Sequence, residues 1–533
     1  MADTDMKNAE PGDPQVRQAE YAEKTQGQGN GKERGTYAPD LVKNYIGGKW
    51  VEGSSGKTFE SRNPATGELL GMLSVADESD VNKAVDAAEA AFKKWRLVPA
   101  PRRGEILFKC AQMLVERKED LARLMTQEMG KVLAEARGDV QEAIDMTFYM
   151  AGEGRRMFGS LTPSELPNKF AMAVRDPIGV VGAITPWNFP IAIPSWKLMP
   201  ALIAGNTVVF KPASDTPLLA IELVRILEEA GLPEGVVNVV MGPGGSVGEA
   251  IIQNPKVRLI SFTGSTAAGQ QVTMSAAKTL KRVSLEMGGK NAIIVMDDAD
   301  LELATEGILW SAYGTTGQRC TAASRVIVHK AVLNDLQDML VARINKFRLG
   351  NGLEQGTDIG PVVNNSQLKR IDELVQEGRK QGNDMLTGGE IASDGDLGKG
   401  NFYKPTLFTN VKSDAMIAQE EIFGPVTALI PVGSLEEAIE VNNNTKYGLS
   451  SSIYTANVNN AFTAMRDLTT GIVYVNAGTI GAEIQLPFGG TRGTGNGHRE
   501  AGQAGLDVFT EWKTLYIDYS GKLQRAQIDT EEI

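Results

Sequence analysis

Two cysteines and two histidines in 533 residues leave little material for several classes of chemistry. A structural or catalytic metal centre draws on three or four ligands, and a Ser/His/Asp triad needs a histidine beside its serine. His329 sits inside an apparent strand, so the expectation is no metal and no histidine base. Basic blocks are missing as well. Lys plus Arg total 54 against 66 for Asp plus Glu, and the net charge of −12 argues against a nucleic-acid partner. The longest uncharged apolar run, Pro177 to Trp196, contains Pro186, Pro190 and Pro194, which break a spanning helix, so no membrane partner is expected. The first 35 residues lack both the apolar core of a signal peptide and the acid-poor character of a transit peptide; a cytoplasmic protein is expected. They hold one valine, and no Ile, Leu or Phe precedes Leu41, so residues 1–38 are expected to be a disordered tail.

What is present is apolar patterning sufficient for large cores. "KNYIGGKWVEG" reads as a hairpin around Gly47 and Gly48, and amphipathic helices are expected from about Asp80 to Gly154. From Val174 the texture changes. "GVVGAIT", "NTVVFKP", "GVVNVVMG" and "RLISFTG" read as strands alternating with helical stretches, the pattern of a parallel α/β sheet. A second alternating block runs from "NAIIVMDDAD" through "RVIVHKAV" and "ALIPVGSLEEAIEVNNN" to "GIVYVNAG". The expected fold class is therefore α/β with two such domains, divided near Gly288 to Lys290. No repeat of fixed period is seen.

The two cysteines read differently. Cys110 lies in "EILFKCAQMLVERKEDLARLM", where Ile106, Cys110, Met113, Leu114, Leu121 and Leu124 follow helical spacing, so it reads as a buried core thiol. Cys320 lies in "YGTTGQRCTAASR", among small residues that let other atoms come close. If it is a nucleophile, its base must be something other than histidine, and a carboxylate is the obvious candidate. A nucleotide loop is not cleanly spelled. "MGPGGSVGEA" has its last glycine one place late for G-x-G-x-x-G, whereas "FTGSTAAGQQ" places Gly264 between a strand and a helix start that can face a pyrophosphate.

Seven ordered segments carry a resemblance: "TPWNFP", "FKPAS", "FTGSTAAG", "LEMGGK", "GQRC", "EEIFGPV" and "PFGG". From about Leu41 to Tyr519 the chain resembles the aldehyde dehydrogenase superfamily. The resemblance implies a fold of two Rossmann-type domains plus a small β oligomerisation element. It divides the chain into a cofactor-binding domain (39–158 and 177–288), a catalytic domain (289–490) and an oligomerisation element (159–176 and 507–519). It further implies Cys320 as nucleophile, Glu286 as general base for a deacylating water, and the Asn188 side-chain amide with the Cys320 N–H as oxyanion donors. A thiolate suits this chemistry, because it adds to a carbonyl and leaves a readily hydrolysed thioester. Gly288 and Gly289 are expected to give Glu286 a mobile, uncrowded neighbourhood.

For the cofactor, the resemblance places Lys211 at the adenosine ribose, Gly264 and Ser265 at the pyrophosphate, and Glu421 and Phe423 at the nicotinamide ribose and ring. Thr185 and Trp187 fall in the wall between cofactor and catalytic site. Ser214 stands where strict NAD enzymes often carry a Glu that would repel a 2′-phosphate, so NADP is favoured over NAD. Trp196 replaces the Arg usual in succinic-semialdehyde enzymes, and the surrounding sequence is similar to enzymes acting on 2-oxoglutarate semialdehyde and to broad aldehyde oxidisers. Glu483, in "GTIGAEIQLPFGG", is unusual beside an acidic aldehyde. A homodimer or homotetramer is expected, built through Gly159–Asp176 and Asp507–Tyr519, the latter alternating as a strand should. Two other readings stay open: a CoA-acylating aldehyde dehydrogenase, whose members generally lack this Glu, and a catalytically silent structural relative.

Overall fold

A computed structural model describes residues 41–528. The tail expected over 1–38 lies outside the described residues.

The change of texture at Val174 marks the entry into a seven-stranded sheet. Its order is Arg282–Glu286, Val257–Thr263, Val180–Ile184, Thr207–Lys211, Val237–Val239, Asn44–Ile46 and Lys49–Val51. The first five strands are parallel, and the hairpin about Gly47 and Gly48 adds the last two antiparallel. Val180–Ile184 and Thr207–Lys211 are buried throughout, as strands covered on both faces must be. Four helices, Glu78–Trp95, Ala100–Glu116, Lys118–Met129 and Leu133–Glu153, fill the helical region. Cys110 is fully buried there, packed with Leu107, Leu114 and Met125 in the core of this sheet.

The second seven-stranded sheet has the order Asp384–Thr387, Thr406–Thr409, Val426–Val432, Ala323–His329, Asn291–Val295, Ser450–Tyr454 and Ile472–Val475. Only its first strand is antiparallel to its neighbour. The chain passes from one sheet to the other over Met287–Lys290, so the carboxyl end of Arg282–Glu286 faces the start of the second sheet. Ligands of parallel sheets bind at such carboxyl ends.

A third, three-stranded antiparallel sheet joins Thr510–Asp518, Lys169–Pro177 and Ser160–Pro163. One expectation needs correction here. Asp507–Phe509 end a helix, Ala504–Phe509, and the strand starts only at Thr510. Leu506, Val508 and Phe509 are drawn into the core of the first sheet, and the Phe509 carbonyl accepts from Asn206 Nδ2 at 2.8 Å, which keeps that turn helical. The strand's alternation is not one of burial within the chain: after Thr510 every residue is exposed.

Candidate active site

The nucleophile candidate is presented by a turn that most sequences would avoid. The helix Leu301–Tyr313 ends at Gly314, and Thr315 and Thr316 then adopt left-handed backbone, φ 52° and 58°, followed by Gly317 at 67°. Two successive β-branched residues in that region cost of order 1–3 kcal/mol each and persist only where the surroundings over-determine them. Those surroundings are visible. The Thr315 N–H donates to both oxygens of Glu135 at 2.9 Å, and the Thr315 hydroxyl donates to Glu135 Oε2 at 3.2 Å. Thr316 Oγ1 donates to Gly360 O, and Gln318 Nε2 donates to Pro361 O. A Cβ on Gly317 would lie 2.1 Å from the Gly424 carbonyl, so only glycine fits there.

Cys320 follows, partly exposed and unbridged. Its carbonyl accepts from Asn291 Nδ2 at 2.7 Å, which ties the turn to the first residue of the strand Asn291–Val295. Burial of the sulfur, then the charges of Glu421 and Glu286, push the thiol up to about 12. The structure thus brings Cys320, Glu286 and Glu421 within electrostatic range of one another.

Glu286 ends the strand Arg282–Glu286. Its carboxylate is buried, and neither oxygen has a hydrogen-bond partner among the described residues. Burial first and the neighbouring Glu500 second raise it well above the ordinary carboxylate range, against the pull of Lys197 and Arg499. The expected uncrowded setting is not what the glycines supply. A Cβ on Gly288 would lie 2.1 Å from Glu421 Oε2, and one on Gly289 would lie 2.5 Å from the Cys320 carbonyl. Their role is close approach of three segments, and Glu286 itself is pressed against Gly489, where a Cβ would stand 2.6 Å from Oε1.

Asn188 is buried on the loop before the helix Ala192–Ala204. Its carbonyl accepts from Lys131 Nζ at 2.9 Å; the same ammonium pairs with Asp139 at 2.7 Å, and Asp139 Oδ1 accepts the Ala192 N–H at 3.0 Å. A buried ion pair of this kind is a poor source of stability, but removing one partner leaves an uncompensated charge. Lys131 also lies over the Phe189 ring at 4.1 Å, and the Arg319 guanidinium lies 5.5 Å from the same ring. The residue after Asn188 is thereby joined to the residue before Cys320.

The remaining candidates spread along the carboxyl ends of the first sheet and across to the second. The Thr185 N–H donates to the Lys211 carbonyl at 3.2 Å, and Lys211 Nζ donates to Pro212 O at 2.8 Å. Burial lowers that ammonium to about 8. Ser214 Oγ donates to Gly242 O at 3.2 Å. Gly264 leads into the helix Thr266–Ala277, whose N-cap Ser265 accepts from the Ala268 N–H. Trp187 and Phe423 meet edge to face, 5.4 Å between centroids, so the two domains touch through these rings. Glu421 Oε1 accepts the Gly289 N–H at 2.8 Å; burial raises the acid to about 7.

These residues fit a dinucleotide. Among the described residues Lys211 spends one of three protons, Glu421 keeps an oxygen beyond the one bonded to Gly289, and the helix start after Gly264 offers backbone donors to an anion. No group of three or more His, Cys, Asp or Glu able to hold a metal ion occurs among the described residues.

Residues 50–515 match the model of the aldehyde dehydrogenase family. The chain belongs to that family. Alpha-ketoglutarate semialdehyde dehydrogenase of Haloferax volcanii is 43% identical over 482 residues, 90% of this chain and 100% of that protein. Among solved structures, betaine aldehyde dehydrogenase from Staphylococcus aureus in complex with NAD+ aligns with a TM-score of 0.88 at 34% identity, covering 90% of this chain and 95% of that one. An NADP-dependent enzyme of E. coli aligns with a TM-score of 0.87 at 37% identity, covering 90% and 98%. An aldehyde dehydrogenase is an oxidoreductase acting on the aldehyde group, with NAD(P) as cofactor, and the expected fold class holds.

Several residues of the site escaped sequence reasoning. Glu135, Lys131 and Asp139 look like surface charges of an amphipathic helix. Lys197 gave a signal, a lone charge in the apolar run "IAIPSWKLMPALIA", and it is buried against Glu500, with Ser261 Oγ at 3.2 Å. Glu500 gave none, because only folding brings it to Glu286.

Proposed function

We propose that this aldehyde dehydrogenase oxidises 2-oxoglutarate semialdehyde to the dicarboxylic acid, with NADP preferred to NAD. The observation that carries the reaction is the gathering of Cys320, Glu286 and the Asn188 loop where the two sheets meet. The substrate reading is supported by the Haloferax relative and by Trp196, buried edge-on to Phe488 at 5.0 Å, in place of an arginine. Glu483 does not oppose it, being exposed and bonded to Gln485.

A bound NAD(P)+ supplies the hydride acceptor. In the proposed cycle the Cys320 thiol gives up its proton to water and, as thiolate, adds to the aldehyde carbon, and the Asn188 amide and the Cys320 N–H hold the resulting oxyanion. Loss of hydride from that carbon leaves a thioester on Cys320. Glu286, as carboxylate, then takes a proton from water, whose oxygen adds to the acyl carbon while the thiolate leaves. Lys211 and Ser214 would hold the adenosine ribose, Gly264 and Ser265 the pyrophosphate, and Glu421 and Phe423 the nicotinamide ribose and ring. Thr185 and Trp187 would wall the cofactor from the thiol. The neutral Ser214 hydroxyl, held at Gly242, removes the repulsion a carboxylate would exert on a 2′-phosphate.

The three-stranded sheet is proposed to join a second copy. Trp512, Leu515, Tyr516 and Ile517 of its outer strand are exposed, as are Phe170 and Leu161 beside them. A homodimer or homotetramer in the cytoplasm is the corresponding assembly, and no helix among the described residues is long and apolar enough to cross a membrane. Residues 39–158 and 177–288 would bind cofactor and 289–490 carry the thiol. Steady-state assays of purified protein with 2-oxoglutarate semialdehyde, succinic semialdehyde and an uncharged aldehyde, with each cofactor and without CoA, test this reading. The highest kcat/KM is expected for 2-oxoglutarate semialdehyde with NADP. Turnover that requires CoA would overturn the hydrolytic cycle.

A further inference from the structure

We propose that Glu135 is a positioning residue, an interdomain latch that holds the Thr315–Gly317 turn left-handed and so sets the Cys320 sulfur against the Asn188 amide. This rests on the roles given above to Cys320 and Asn188. Glu135 stands in the first turn of the helix Leu133–Glu153, whose Ala136, Val140, Ala143 and Ile144 belong to the core of the first sheet. The turn it grips continues the helix Leu301–Tyr313, which packs in the core of the second. Its side chain is 5% exposed, and its bonds cross from one core to the other.

The direction of causation follows from the backbone. Thr315 and Thr316 would leave φ near 55° if released, since a β-branched side chain clashes there, and neither the Thr316 hydroxyl nor Gln318 bonds to the Thr315 N–H. Glu135 is the acceptor of that N–H, and a carboxylate serves better than a neutral group because Arg319 Nε donates to Thr315 Oγ1 at 2.8 Å while its Nη2 stands 3.6 Å from Glu135 Oε1. Arg319 is in turn the residue before Cys320 and faces Phe189, the residue after Asn188. On the same face of this helix, one turn on, Asp139 holds the Asn188 loop, directly at the Ala192 N–H and through Lys131, which stands just before the helix. One helix edge therefore carries both halves of the site, the Asn188 half through its own domain and the Cys320 half only through Glu135 and its neighbours.

The test is a double-mutant cycle on the full chain, read by the rapid-mixing burst of reduced cofactor and by cofactor titration. Glu135→Ala should slow the burst about 10²-fold, the size of a lost oxyanion donor, with cofactor affinity unchanged. Glu135→Gln should lose less, because its amide oxygen still accepts the Thr315 N–H. In an Asn188→Ala background either change should alter the burst by no more than about threefold, since the alignment it protects is already lost. A loss of equal size in both backgrounds, or a wild-type burst in Glu135→Ala, overturns the latch. If Glu135→Ala melts far below wild type, the Glu135→Gln pair decides by the same criterion. Wild-type turnover in Cys320→Ala or Asn188→Ala would instead overturn the catalytic reading, and that result is independent of Glu135.

Discussion

Cys110 and Cys320 are the chain's two thiols, and burial pushes both up to about 12. Around Cys110 burial is the entire cause, on the inward face of an amphipathic helix. Around Cys320 the charges of Glu421 and Glu286 add to it, and the sulfur sits on a turn that carries left-handed threonines and close-approach glycines. A raised thiol is therefore no guide to inertness. What separates the two is which groups stand near the sulfur and whether a substrate carbon can reach it.

The strongest way to break this comparison is to remove each thiol in turn. Cys320→Ala should abolish aldehyde oxidation, to below about 10⁻³ of wild type, with fold and cofactor binding retained, while Cys110→Ala keeps its turnover. Equal losses in two variants with matching thermal melts would erase the distinction.

Next in size is the carboxylate that sharpens it. Glu286→Gln should lower steady-state turnover about 10²- to 10⁴-fold yet still release close to one equivalent of reduced cofactor in the first turnover, with acyl enzyme visible by intact mass. If Glu286 also deprotonates Cys320, the burst slows in proportion and no acyl enzyme accumulates.

Titration provides a smaller, graded effect. With the Cys320 thiol held near 12, its alkylation by iodoacetamide should rise about tenfold for each pH unit from 7 to 9, with no plateau. Cys110 should remain unlabelled until the protein unfolds. A plateau near pH 7 would mean that the thiolate is already formed in the free protein.

The smallest effect concerns the far end of the cofactor. Ser214→Glu should shift the NADP/NAD affinity ratio against NADP by about tenfold through repulsion at the 2′-phosphate, measured by titrating both cofactors. An unchanged ratio would place Ser214 away from the ribose.

Periodicity was enough to read the helices before Gly154, the burial of Cys110 and most strands of both sheets, though Arg282–Glu286, Asp384–Thr387, Thr406–Thr409 and Ser450–Tyr454 went unread. Those patterns are local: spacing along a helix or strand decides which face is apolar, whatever lies opposite. Family motifs marked Cys320, Glu286 and Asn188 because each lies inside a short recognisable segment. The helical end at Asp507–Phe509 was misread because its side chains answer to a distant core. Gly288 and Gly289 were misread because the atoms they make room for belong to Glu421 and to the Cys320 carbonyl.

By itself, then, the sequence determined the class of fold, the identity of the nucleophile candidate and the scarcity of histidine that turns the search for a base toward carboxylates. Tertiary structure alone decided what surrounds those groups. Glu500 beside Glu286, Glu135 beneath the Thr315 turn and Lys131 at the Asn188 carbonyl are separated from their partners by 214, 180 and 57 residues. Electrostatic and hydrogen-bond energies fall off with distance in space, not along the chain, so groups that far apart in sequence acquire a joint role only once the fold has closed.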